Sequence, residues 1–187
     1  MSQATLTIRN PAIILAALTT EADASNLILS NDTTWHAGEA HDLTDVTVQI
    51  ANGATLTIEK GSEIKNGRFE VFGALNAVGA PDALVYFRDV SIAMANNDPL
   101  AINEGRINIA YANIIGASSY LSGAGYGSVT LTDSIVSYTN YMPCLGLGYP
   151  IADAHIERNI FYLSGGISTA TNNNVSAYIK KTLLSSR

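Results

Sequence analysis

The sequence predicts an all-β chain wound as a solenoid of short strands, and three observations carry that prediction. Apolar and polar residues alternate in short runs. In Asp45 to Glu59, DVTVQIANGATLTIE, two such runs flank the turn Ala51-Asn52-Gly53. Units of the same kind return down to the C-terminus: Phe87, Ile109, Leu131, Ile156 and Ile179 follow one another at intervals of 22, 22, 25 and 23 residues. A period of that size, with two or three short strands per unit, is the signature of stacked repeats in which each unit covers the apolar face of the next. Composition agrees, because only 14% of the 187 residues are charged while 47% are hydrophobic, against a usual charged share of about a quarter.

Inward-pointing strand residues are anchored at Val48, Ile58, Val71, Phe87, Ile109, Leu131, Ile156 and Ile179. Four to six residues beyond the later anchors comes a second apolar position: Ile92, Ile114-Ile115, Ile135-Val136, Ile160-Phe161 and Leu183-Leu184. A small polar residue sits between the two in the last four units, at Asn113, Ser134, Asn159 and Thr182. Such residues suit a turn whose backbone is partly buried and needs hydrogen-bond partners. About six coils can be counted, giving a stem on the order of 30 Å long.

Residues 1–34 are expected to form a cap segment and residues 35–187 the solenoid. Asn10-Pro11 followed by AIILAALTTEA reads as a short amphipathic capping helix, with an N-cap, proline at the first helical position and Ile14, Leu15, Leu18 and Ala22 near one face. A secretory signal is the rival reading, since Arg9 precedes an apolar stretch. The proline and the strand-like ATLTI before it favour the helix. No stretch is long enough to span a bilayer.

VTVQIANGATLTIEKGSEI, followed by FEVFGALNAVGAPDALVYF, resembles the opening coils of right-handed parallel β-helix proteins. The small polar residues in a fixed turn are similar to the stacked Asn/Ser/Thr ladders of pectate-lyase-like solenoids. The resemblance covers roughly Trp35 to Leu184. It implies a right-handed parallel β-helix, a fold shared by polysaccharide lyases and hydrolases, phage tail spikes and bacterial surface proteins, so it offers a choice of functions rather than one.

With Ile109, Leu131, Ile156 and Ile179 inward, their neighbours point outward. One outward column then reads Asn108, Thr130, His155, Tyr178, and the next Ala110, Thr132, Glu157, Lys180. Asp153, His155 and Glu157 share one outward face and are the catalytic candidates. Asp153 and Glu157 stand roughly 13 Å apart on an extended strand, whereas a glycosidase carboxylate pair needs about 5–9.5 Å. The structural alternative pairs Glu157 with Lys180 and Asp133 with Arg158 on stacked rungs.

His36, Glu39, His41 and Asp42 in TTWHAGEAHDLT lie close together, but their spacing matches no metal motif. Trp35 is expected to pack over the first coil instead. No metal and no cofactor are expected. The single cysteine, Cys144, excludes an internal disulfide. The formal net charge of −6, with no Lys/Arg run, gives a nucleic-acid partner no electrostatic support.

Seven of nine tyrosines fall between Tyr111 and Tyr162. Tyr120, Tyr126, Tyr138, Tyr141 and Tyr149 sit in or beside segments that interrupt the coils, where rigid rings next to small polar groups suit sugars or a protein partner. Packing against neighbouring coils or a subunit contact is the other use of such rings. The expectation is a non-enzymatic structural and adhesion module of a virion or cell surface, extracellular, meeting a surface polysaccharide or protein. The last coil, ending IKKTLLSSR, suggests a homo-oligomer, a larger assembly or a longer parent chain. A polysaccharide-degrading enzyme on the same scaffold is the alternative. An ice-binding solenoid is disfavoured because Asn108, Ala110, His155 and Glu157 interrupt any threonine array.

Overall fold

A computed structural model describes residues 25–94, 105–116, 120–123, 127–140, 144–147, 153–169, 177–180 and 183–185. The capping helix expected near the N-terminus lies outside these residues. The first turn comprises β1 (Ser25–Leu29), β2 (Thr33–Trp35) and β3 (Ala40–Asp42), and the second β4 (Val46–Ile50), β5 (Thr55–Ile58) and β6 (Glu63–Lys65). Next come β7 (Arg68–Val71), β8 (Ala74–Val78) and β9 (Val85–Arg88), then β10 (Ser91–Met94), β11 (Arg106–Ala110) and β12 (Ala112–Ile115). The later turns are β13 (Tyr120–Gly123), β14 (Ser128–Thr132) and β15 (Ile135–Ser137), then β16 (Leu145–Leu147), β17 (Asp153–Glu157) and β18 (Ile160–Tyr162). The last is β19 (Ile167–Thr169), β20 (Ala177–Lys180) and β21 (Leu183–Ser185).

Every third strand belongs to the same sheet. The first sheet runs β1-β4-β7-β10-β13-β16-β19, the second from β2 to β20 and the third from β3 to β21, each seven strands deep. All the strand pairs are parallel, for example Ile109 level with Leu131 and Leu131 level with Ile156. The protein is therefore an all-β parallel β-solenoid, with about five turns that have neighbours on both sides. The first turn begins at Ser25, so its opening strands precede Trp35.

Inside, like residues stack. The central column of the second sheet is Trp35, Ile58, Ala77, Ile109, Leu131 and Ile156, and the backbone of Ile179 is level with Ile156. The third sheet contributes Ile64, Phe87, Ile114, Val136 and Phe161, all buried. Burial of each such side chain contributes roughly 1.5–3 kcal/mol, and each turn supplies the cover for the next. One anchor was assigned to the wrong column. Phe87 is inward but belongs to the third sheet, level with Ile114, and the residue level with Ile109 is Ala77. The long connection between β10 and β11 stretches that repeat to 32 residues, so counting back at the average period reached a neighbouring sheet.

The corners explain how short strands turn sharply. After the second-sheet strands, Tyr111, Asp133 and Arg158 each take positive φ, and after the third-sheet strands so do Asn66, Asp89, Gly116, Tyr138 and Leu163. One left-handed residue per corner bends the chain, at a cost of roughly 1–2 kcal/mol where a Cβ is present. At the entry to the second sheet the backbones instead approach closely: a Cβ on Gly127 would lie 1.8 Å from the Gly105 carbonyl oxygen, and one on Gly73 2.2 Å from that of Ala54.

A buried polar column does line one corner, displaced by one residue from the expected position at one turn. Ser134 and Asn159 are buried and level, but Asn113 is level with Ile135, and Ala112 takes the corresponding place. The Ser134 amide donates to Asn159 Oδ1 at 3.0 Å, Asn159 Nδ2 donates to the Leu131 carbonyl at 2.7 Å, and the Ala112 amide donates to Ser134 Oγ at 3.0 Å. Truncating Asn159 leaves one buried donor and one buried acceptor unsatisfied, each costing about 1–3 kcal/mol. Asn159→Ala is accordingly expected to lower stability by about 2–4 kcal/mol, and chemical denaturation followed by circular dichroism checks this. A change no larger than that of Thr130→Ala on the outer face would contradict it.

Candidate functional site

The outer face of the second sheet carries the catalytic candidates, in the register expected from sequence. Asn108, Thr130, His155 and Tyr178 are level on successive strands, as are Ala110, Thr132, Glu157 and Lys180. The first column extends back through Asn76, Thr57 and Thr34, and Asn108 Nδ2 donates to Asn76 Oδ1 at 2.7 Å. A polar ladder thus runs along the solenoid axis beside the charged row.

Within that row the charges are used by one another. His155 Nε2 lies 3.1 Å from Glu157 Oε2, and Glu157 Oε1 lies 2.9 Å from an Arg158 guanidinium nitrogen. Arg158 is in turn bidentate to Asp133, with both hydrogen bonds at 2.6 Å. Because Asp133 and Arg158 occupy the same corner on adjacent turns, their side chains leave the backbone side by side. Burial pushes the Glu157 carboxyl up, but the hydrogen bond from His155 and the charges of Arg158 and Lys180 outweigh it and hold the group below its ordinary range. The Arg158 hydrogen bond likewise holds Asp133 low, and Asp133 raises the pKa of Arg158. Asp153, at the start of β17, is exposed.

A general acid in glycoside hydrolysis needs a carboxyl raised towards neutrality by an apolar or like-charged setting. Among the described residues, every carboxyl with a resolved displacement moves the other way: Asp42, Glu63, Asp133 and Glu157 are all lowered by hydrogen bonds and nearby cations. What the row offers chemically is a half-buried imidazole positioned by a carboxylate.

The loop containing His36 and His41 divides its side chains. His41 points inward from β3 and stacks on Trp35 with ring centroids 4.0 Å apart, and Trp35 is buried as expected. Burial lowers the His41 pKa more than Glu39 raises it. Its Nε2 stands 3.3 Å from Glu39 Oε2, close enough for charge pairing but not aligned as a hydrogen bond. His36 is exposed, 3.6 Å from Glu59. Glu39 and Glu59 accept the amides of His36 and Ala37, and Asp42 accepts from Thr44 and Asn66. Among the described residues no three His, Cys, Asp or Glu side chains converge on a metal position.

Of the five tyrosine candidates, Tyr120 and Tyr138 fall among the described residues. Tyr120 opens β13, level with Ser91. Tyr138 occupies a left-handed corner, is 48% exposed and meets Tyr162 edge to face, with centroids 5.7 Å apart. Tyr126, Tyr141 and Tyr149 lie outside the described residues. Tyr162 was not among the sequence candidates. The signal that could have found it is its position one turn above Ser137, next to the Tyr138 corner. An open hollow of about 640 Å³ at the corner of the first turns, lined by Asp45, Asn66, Arg68 and Asp89 among others, also had no counterpart in the sequence reading.

The Asp133 carboxyl has a lowered pKa in the folded chain, so the stability it contributes is present above its unfolded pKa of about 3.9 and disappears as pH falls through the lower folded value. Thermal unfolding followed from pH 7 down to about pH 2 should show this acid-side loss. In Asp133→Asn the midpoint is expected to fall at neutral pH and the acid-side slope to flatten. Identical profiles for the two proteins would show that the Arg158 pair contributes nothing.

Comparison with protein-family models, with curated proteins and with solved structures finds no match to this chain, and its fold stands on the strand register itself.

Proposed function

We propose that this chain is a non-enzymatic β-helix module of a virion or cell surface, serving as a structural stem and binding glycans through its tyrosine-bearing connections. In this reading the winding is right-handed and of the pectate-lyase-like kind, consistent with the hand that right-twisted parallel strands prefer in crossover connections. The observation that carries the reading is the contrast between two groups. The Asp133–Arg158–Glu157–His155 row is linked by its own ion pairs and hydrogen bonds, while Tyr138 and Tyr162 present an edge-to-face aromatic pair to solvent at a left-handed corner. Aromatic rings held in place lose little entropy when they receive a sugar face.

A second reading, a polysaccharide-degrading enzyme on the same scaffold, is favoured by one specific observation: the 3.1 Å contact between the partly exposed His155 and Glu157. A panel of acidic and neutral glycans, assayed both for binding and for new reducing ends or unsaturated uronates, separates the two. Binding without turnover is expected, weakened about tenfold by Tyr138→Ala or Tyr162→Ala. Turnover that disappears in a folded His155→Ala variant would replace the adhesion reading with the enzymatic one.

A further inference from the structure

The outer face of the third sheet changes character along the axis. One outward column reads Ala40, Glu63, Tyr86, Asn113, Ile135, Ile160 and Leu183. Its neighbour reads Asp42, Lys65, Arg88, Ile115, Ser137 and Tyr162. The early turns are therefore charged and the later turns apolar. Ile160 is 43% exposed, Tyr162 43% and Leu183 68%, with Tyr138 at their edge. Together these side chains expose on the order of 400–500 Å² of largely apolar surface, a size at which a contiguous patch marks an interaction site.

We propose that this face is where two or more copies of the chain lie side by side, parallel and with their turns level. Charge selects that arrangement. The early turns carry Asp42, Glu63, Lys65 and Arg88, two charges of each sign. Glu63 is already paired with Lys65 at 3.1 Å and with Arg88 at 2.5 Å, and Arg88 lies over the Tyr86 ring. A parallel copy sets this neutral, ion-paired half against its own equivalent and the isoleucine ladder against another isoleucine ladder. An antiparallel copy at full overlap would press Ile135, Ile160 and Leu183 onto Glu63 and Arg88, covering the ion pairs with groups that offer them no hydrogen bonds, whereas a parallel copy keeps polar groups opposite polar groups. Area agrees as well, since a stable interface needs about 800 Å² per partner. The patch supplies roughly half of that as apolar centre, and Asn113, Tyr86 and the charged turns would form the remainder as a polar rim. Tyr138 and Tyr162 border this face as well as forming the proposed glycan contact, so association and glycan binding compete at that corner, whereas Ile160 and Leu183 serve association alone.

Sedimentation velocity on the full chain across a concentration series tests the proposal, with far-UV circular dichroism as the folding control. The wild-type chain is expected to associate. Ile160→Glu and, separately, Leu183→Glu are expected to be monomeric and folded at concentrations where it is assembled, while Thr130→Glu on the second sheet remains associated. Under mild oxidation Ile160→Cys and Leu183→Cys should each form a copy-to-copy disulfide, because in a parallel arrangement every position of the column meets its own equivalent. Thr130→Cys should not. A wild-type monomer at high micromolar concentration, or an assembly that survives both glutamate variants, would overturn the proposal. Cross-linking at only one of the two column positions would overturn the parallel alignment. Because Ile160→Glu and Leu183→Glu keep both tyrosines, a monomeric variant that still binds glycan separates the two roles, and a chain that associates without binding glycan leaves the association standing alone.

Discussion

Backbone pairing from one turn to the next is the constraint on which the rest of this structure depends. Each inner strand hydrogen-bonds to the strand three before it and three after it, so among the described residues the edges of the three sheets lie at the first and last turns. Stacked in this way, each residue of an inner turn has a neighbour at the same level about 4.8 Å above and below. A mismatch at one level is therefore felt at the next. Stability in such an array is approximately a sum of each turn and its two interfaces, so a lesion in the middle, where Phe87 sits between Ile64 and Ile114, breaks two interfaces at once.

The same pairing converts sequence into three long surfaces of different chemistry. On the first sheet one outward column of the middle turns is small, with Ala93 level with Ser122 and Ser122 with Gly146. On the second they form a polar ladder that ends in the His155–Glu157 row. On the third they pass from ion pairs to isoleucines. None of the three needs to be polar or apolar for the core to form, because core and surface columns alternate along each strand. The surface columns are free to carry function, and differences among them are more informative than the interior.

The candidate site shows how column logic succeeds and where it stops. Once Ile109, Leu131, Ile156 and Ile179 were aligned, period-two alternation alone placed His155 beside Thr130 and Glu157 beside Thr132, and it put Asp133 level with Arg158. What alternation could not reveal is which partners the side chains choose. Glu157 reaches back along its own strand to His155 and forward to Arg158 as well as across to the Lys180 charge. Those choices depend on rotamers and on the left-handed corner at Arg158, which swings its guanidinium towards both carboxylates.

By itself the sequence determined that the chain is all-β, that its turns repeat and, from Ile109 onwards, which residues share a column, because strict alternation and a near-constant period leave only one consistent stacking. The tertiary structure decided what depends on the length of irregular connections. The insertion after β10 moved Phe87 to another sheet and made Ala77 the partner of Ile109, and a one-residue difference at the corner put Ala112, not Asn113, in the buried polar column. It also brought Tyr138 against Tyr162 and collected Ile135, Ile160 and Leu183 on one outer face. Loop length is invisible to periodicity, since a connection can grow without changing the strands it joins, and only the hydrogen-bonded register shows which residue finally stands above which.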